Sequence, residues 1–175
     1  MKHFNALLAI VILLPLVSLA QSNYKPGYVV ASKGDTVRGF IDYQDWGSNP
    51  SAISFKSSLT DRNKKEFTRE NATAFDITGF ADYKRYACSV SMDGTNTSNL
   101  ESGRDTSFNI ETVFLRVLQQ GTNLALYTYT DNIKTRFYIG YAPDFVPAEL
   151  VYRIYNGADA RGDSRTIMAR GFTIL

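Results

Sequence analysis

The stretch that decides the fold runs from Glu111 to Tyr141 and reads ETVFLRVLQQGTNLALYTYTDNIKTRFYIGY. Three apolar-rich runs, Glu111 to Gln120, Asn123 to Thr130 and Lys134 to Tyr141, are separated by Gly121-Thr122 and Asp131-Asn132, residues that accept the backbone of a tight turn. Short runs rich in Val, Leu, Tyr and Phe with turn residues between them predict an antiparallel meander. In the middle run Leu124, Ala125, Leu126, Tyr127 and Tyr129 carry apolar bulk on both faces, so neighbours are expected to cover that strand on two sides.

The period of two continues towards the N-terminus. Tyr28 to Ser32 and Val37 to Tyr43 predict a hairpin, joined by Lys33-Gly34-Asp35-Thr36, with Val37, Gly39, Ile41 and Tyr43 on one face. Asp45 to Pro50 is rich in turn residues, and Ile53 with Phe55 marks a third strand. Thr68 is placed to cap a short helical turn over Arg69 to Thr73, after which Ala74 to Phe80 resumes as strand. Tyr83 to Asp93 alternates most cleanly, with Tyr86, Cys88, Val90 and Met92 on one face, so Cys88 is expected to point inward. Gly94 to Asn109 is polar and aperiodic and reads as a long loop. Beyond Pro143, Pro147-Ala148-Glu149 and the spacing of Leu150, Val151, Ile154 and Tyr155 predict a short C-terminal helix ended by Gly157. The expectation is one all-β antiparallel domain, a sandwich or partly open barrel of about eight to nine strands, followed by that helix. The boundaries are a leader at 1–20, a β-rich domain at 21–155 and a flexible tail at 156–175.

The leader is a secretory signal peptide: Lys2 and His3 precede an apolar run from Ala6, and Ser18-Leu19-Ala20 offers small residues for cleavage between Ala20 and Gln21. The apolar run is too short to span a bilayer and is interrupted by Pro15, so no membrane span is expected in the mature chain. His3 is the one histidine of the 175 residues, and cleavage removes it, leaving no imidazole for a Ser-His-Asp, Cys-His or histidine-containing zinc site. The net charge of +2 becomes +1 without Lys2, which gives no field for nucleic acid. Cys88 is the single cysteine, so no internal disulfide forms.

Tyr24-Lys25-Pro26-Gly27-Tyr28, Gly34 to Asp42, Trp46 to Pro50, Phe67 to Phe80, Thr112 to Leu118 and Glu149 to Tyr152 together resemble an uncharacterised family of exported Bacteroidota proteins, over about residues 24 to 155. In that family this β-rich region often precedes an outer-membrane β-barrel. The resemblance implies a periplasmic or outer-membrane-associated location and carries over no catalytic residue.

No catalytic residue, cofactor site or metal site is expected. Tyr43 and Trp46 form a candidate ligand surface, a stacking platform for sugars, although packing within the sheet accounts for such aromatics equally. Asp42 with Asp45, and Glu66 with Glu70, are the nearest carboxylate pairs for glycoside hydrolysis. Asp93 to Asn99 spaces oxygen ligands alternately but lacks the glycine and glutamate of an EF-hand loop. Arg161-Gly162-Asp163 and Ser22 to Lys25 read as coincidences of common residues, while Asn71-Ala72-Thr73 and Asn96-Thr97-Ser98 match the glycosylation acceptor pattern and are expected to stay bare in a bacterial envelope. The leading functional expectation is a non-enzymatic binding or interaction module of the cell envelope, with an envelope protein or glycan as partner. A carboxylate-based glycan hydrolase and a small β-barrel carrier of an apolar ligand are the alternatives.

Overall fold

Alternation of apolar and polar residues produces strands along most of the described residues. A computed structural model describes residues 23–100, 103–158 and 164–170. The strands are β1 (Tyr24–Ala31), β2 (Thr36–Asp42), β3 (Ala52–Lys56), β4 (Lys65–Thr68), β5 (Ala72–Ile77), β6 (Ala81–Ser91), β7 (Phe108–Gln120), β8 (Leu124–Thr130), β9 (Thr135–Tyr141), β10 (Ala148–Glu149), β11 (Tyr152–Ala158) and β12 (Ser164–Arg170). Ten form one open antiparallel sheet in the order β10-β9-β8-β7-β6-β5-β1-β2-β3-β4, and β11 pairs with β12 as a separate hairpin.

The connections force this sheet to curl. β4 and β5 are four strand positions apart, roughly 19 Å in a flat sheet, yet only residues 69–71 join them. From Thr68 to Ala72 an extended chain reaches at most about 14 Å. The β1–β5 half therefore wraps round until β4 approaches β5, and Val29, Ile41, Ile53, Phe55, Phe67, Phe75 and Ile77 are buried inside the wrap.

The β6–β7 ribbon is shared by two cores on its opposite faces. Tyr83 and Phe114 lie on the face that meets the first core, while Cys88, Val90, Val113 and Leu115 lie on the other face with Ala125, Tyr127 and Tyr138. Register agrees, since Tyr83 pairs with Arg116 and Arg85 with Phe114 on one face, and Tyr86 pairs with Val113 on the other. Three successive residues, Val113, Phe114 and Leu115, are almost wholly buried, so the strand covered on two sides is β7. The expected position was β8, but there only Ala125 and Tyr127 are buried and Leu124 stays 39% exposed.

Asn49 fixes the place where the two halves part. β7–β8 pairing stops at Arg116 with Thr128. Asn49 fills the opening beyond: its Nδ2 donates to the Phe114 carbonyl at 2.7 Å and the Thr128 carbonyl at 3.2 Å, and its Oδ1 accepts from the Thr130 N–H at 3.0 Å. Its own N–H donates to the Thr130 carbonyl at 2.8 Å. One side chain thus replaces the missing ladder bonds of two strands.

The first hairpin, the third strand, the Tyr83–Asp93 alternation and the 111–141 meander form as the sequence predicts, and Gly34 supplies the left-handed φ of 94° at the first turn. Three expectations are corrected. Arg69 to Thr73 is no helical turn: residues 69–71 turn directly between β4 and β5, and the Asn71 side chain accepts from the Thr68 N–H at 2.8 Å, holding that turn closed. The helix from Pro147 does not form. Residues 148–149 pair with Ile139 and Tyr138 in β9, and 152–158 form β11, because strand pairing satisfies this backbone where Val151 and Ile154 are poor helix formers. The expected boundary at residue 155 falls inside β11, and Ser164–Arg170 of the expected tail is strand. The expected all-β antiparallel fold does form, as one open ten-stranded sheet with two oppositely curled halves. The leader, the cleavage position at Ala20 and Gln21, His3, Ser22 and Arg161-Gly162-Asp163 lie outside the described residues.

Candidate functional site

The end of the β6–β7 ribbon farthest from the first core is where covering strands run out. β5 pairs with β6 only as far as Lys84, so Arg85 to Ser91 have no backbone neighbour on that side. Side chains take its place. The Glu149 carboxylate accepts from the Ser91 N–H at 2.9 Å and from the Ser91 hydroxyl. Arg136 Nε donates to the Ser91 carbonyl at 2.7 Å, and the Tyr138 hydroxyl donates to the Ser89 carbonyl at 3.0 Å. These bonds draw β9 and β10 back towards β6 and close the second curl without a barrel's continuous ladder.

Around this clamp lies a charge network. Arg136 also meets Asp131 at 3.0 Å, and Lys134 meets the buried Asp93 at 2.8 Å. Burial pushes the Asp131 carboxyl upward, but the N–H groups of Lys134 and Ile133 and the Arg136 guanidinium outweigh it and hold the pKa below the usual aspartate range. Asp93, first of the oxygen-spaced loop residues, is thus turned inward onto a lysine. Asn96 accepts from the Ser98 N–H to cap the 3₁₀ turn Thr97–Asn99. Among the described residues no group of three or more His, Cys, Asp and Glu side chains is placed to hold a metal ion.

The clamp borders a groove of about 560 Å³, lined on its apolar side by Phe108, Ile139, Tyr141, Val146, Pro147 and Val151. Phe108, Tyr141 and Val146 are 55%, 52% and 66% exposed, an apolar surface open to solvent in a concavity. Phe108 and Val146 are there for local reasons. Phe108 shares a ribbon face with Phe114 but sits beyond the last covering strand. Val146 is carried by the loop after β9, which approaches so closely that a Cβ on Gly140 would lie 2.5 Å from the Phe145 carbonyl oxygen. The Tyr127 hydroxyl donates to that same carbonyl at 3.3 Å. Arg104 and Arg153 stand on the polar side of the groove.

A second concavity, of about 330 Å³, brings together Asp42, Trp46 and Glu66. Of the residues singled out from sequence, these three converge. Asp45 instead accepts from the Tyr43 hydroxyl at 3.0 Å, an arrangement that, after desolvation, raises the tyrosine pKa. Glu70 lies elsewhere and accepts from the Thr68 hydroxyl, its pKa lowered chiefly by that bond. Trp46 packs edge-on against Tyr43, Phe75 and Tyr83 at 5.4, 6.3 and 6.1 Å, so most of the indole serves the first core. Cys88 is buried as the alternation predicts, and desolvation pushes its thiol up to about 11.

Sequence reading missed two features. The groove was hidden because Phe108 fell within an expected loop and Pro147 to Val151 within an expected helix. The second is a carboxylate pair across β5 and β6, Asp76 opposite Asp82, whose register no spacing rule reveals. Desolvation, with Asp76 alongside, raises the Asp82 pKa against the lowering effect of Lys84.

Compared with protein-family models, curated proteins and solved structures, the chain matches none of them.

Proposed function

We propose that this chain is an exported domain of the cell envelope, periplasmic or outer-membrane associated, that acts as a non-enzymatic binding module through the groove between β7, β9 and the start of β11. The observation that carries the reading is the concave apolar surface of Phe108, Tyr141 and Val146, side chains that a folded protein ordinarily withdraws from water. Grooves of this volume lined by apolar groups with a few polar ones at one side suit ligand or segment binding. The leader with its Ala20-Gln21 cleavage position, and the resemblance to exported Bacteroidota proteins, support the location. Thermal unfolding of the mature protein against envelope glycans, peptides, outer-membrane proteins and long-chain lipids tests it. At least one class is expected to raise the Tm of wild type and to leave Val146→Asp unmoved. A panel that shifts neither protein, or both equally, overturns the assignment.

A glycan hydrolase is the second reading, favoured by the convergence of Asp42, Glu66 and Trp46 on one pocket. Turnover of a polysaccharide that is abolished in Asp42→Asn or Glu66→Gln would establish it in place of the first.

A further inference from the structure

The groove is uneven in charge as well as in polarity. Of its charged side chains Arg104 and Arg153 are cationic, and the one carboxylate, Glu149, is engaged by the Ser91 N–H and hydroxyl. Arg153 is loosely held. Its Nε lies 3.7 Å from the Asp93 carboxylate, beyond hydrogen-bond reach, and has no hydrogen-bond partner. Asp93 in turn has Lys134 at 2.8 Å and does not depend on Arg153 for neutralisation. Two guanidinium groups on one side of the groove, Arg153 and the exposed Arg104, form a receptor for an acidic group, and the bidentate geometry of arginine matches a carboxylate.

Resting on the reading of this groove as the binding surface, we propose that its ligand is a long-chain carboxylate, a free fatty acid. The acyl chain lies along Phe108, Ile139, Val146 and Val151, and the head group meets Arg104 and Arg153. A volume of about 560 Å³ takes one unbranched chain, and the open side admits it without the enclosed lumen of a barrel. Both halves of the ligand are needed: apolar burial supplies the affinity and the arginines select the head group.

Isothermal titration of the mature protein with dodecanoate, below its micellar concentration, tests this against two ligands of the same chain length, dodecanol and dodecyltrimethylammonium. Saturable one-to-one binding of dodecanoate is expected, at least ten-fold weaker binding of the alcohol, and none of the cation. Val146→Asp and Arg104→Glu change exposed side chains, so both variants should unfold at the wild-type temperature while binding dodecanoate ten-fold or more weakly. Absence of binding, equal binding of all three amphiphiles, or undiminished binding by both variants overturns the proposal. If instead an envelope protein or peptide binds wild type and not Val146→Asp while dodecanoate does not bind, the fatty acid is excluded and the groove remains the binding surface. If Val146→Asp alters no interaction of any kind, both readings fall.

Discussion

Replacing Asn49 should destabilise the fold far more than its position in a surface turn suggests. Asn49→Ala removes three side-chain hydrogen bonds, to the Phe114 carbonyl, the Thr128 carbonyl and the Thr130 N–H, and leaves those backbone groups at the opening between β7 and β8. At a net contribution of about 1 kcal/mol each, with an added cost for any group that water cannot reach, the loss is about 2–4 kcal/mol. For a domain of this size, with a urea m-value of about 2 kcal/mol per molar, the unfolding midpoint drops by about 1–2 M. Asn49→Asp sharpens the test, because it keeps the acceptor for Thr130 but sets a carboxylate oxygen against two carbonyl oxygens. It should cost at least as much as alanine at neutral pH. Urea unfolding followed by Trp46 fluorescence measures both variants. A loss below 1 kcal/mol for alanine, or an aspartate variant close to wild type, would refute the wedge.

Gly27→Ala would put a Cβ 2.1 Å from the Asp76 carbonyl oxygen, a backbone atom that moves only with the sheet, so a loss of about 1–3 kcal/mol in thermal unfolding is expected. The Cys88 thiol, with its pKa near 11, should resist alkylation at pH 8 in the native protein and react at the rate of a free cysteine once unfolded. Asp82 and Asp131 should act on stability with opposite signs. The raised pKa of Asp82 penalises the charged fold, so Asp82→Asn should stabilise at pH 7, with the gain vanishing below about pH 4, where the carboxyl is protonated in both states. The depressed pKa of Asp131 contributes stability that is complete above about pH 5 and is lost as pH falls through its folded value, so Asp131→Asn should flatten that acid limb.

The strands were legible where local pattern and tertiary demand coincide. Val37, Ile41, Ile53, Phe55, Cys88 and Val90 announce their inward faces by alternation, and Gly34 announces its turn. The curl was not legible, because it follows from which strands become neighbours: β5 returns to β1 across a three-residue link, and nothing in residues 69–71 states that partner. The strand at 152–158 was misread because Leu150, Val151, Ile154 and Tyr155 satisfy a helical period as well as a pleated one, and pairing with β12 decides between them. Asn49 looks like any turn asparagine, since its partners at Phe114 and Thr130 lie more than 60 positions away. Of the candidate site, Asp42, Trp46 and Glu66 could be singled out beforehand. The apolar groove could not, since its walls come from segments assigned to other structures.

Amide chemical-shift mapping of the labelled mature protein during titration with dodecanoate tests the placement of the binding surface most directly. The account predicts perturbations concentrated at Phe108, Ile139, Val146 and Val151, with the arginine side-chain resonances of Arg104 and Arg153 moving in step. Shifts gathered at Asp42, Trp46 and Glu66, or scattered evenly over the sheet, would contradict it.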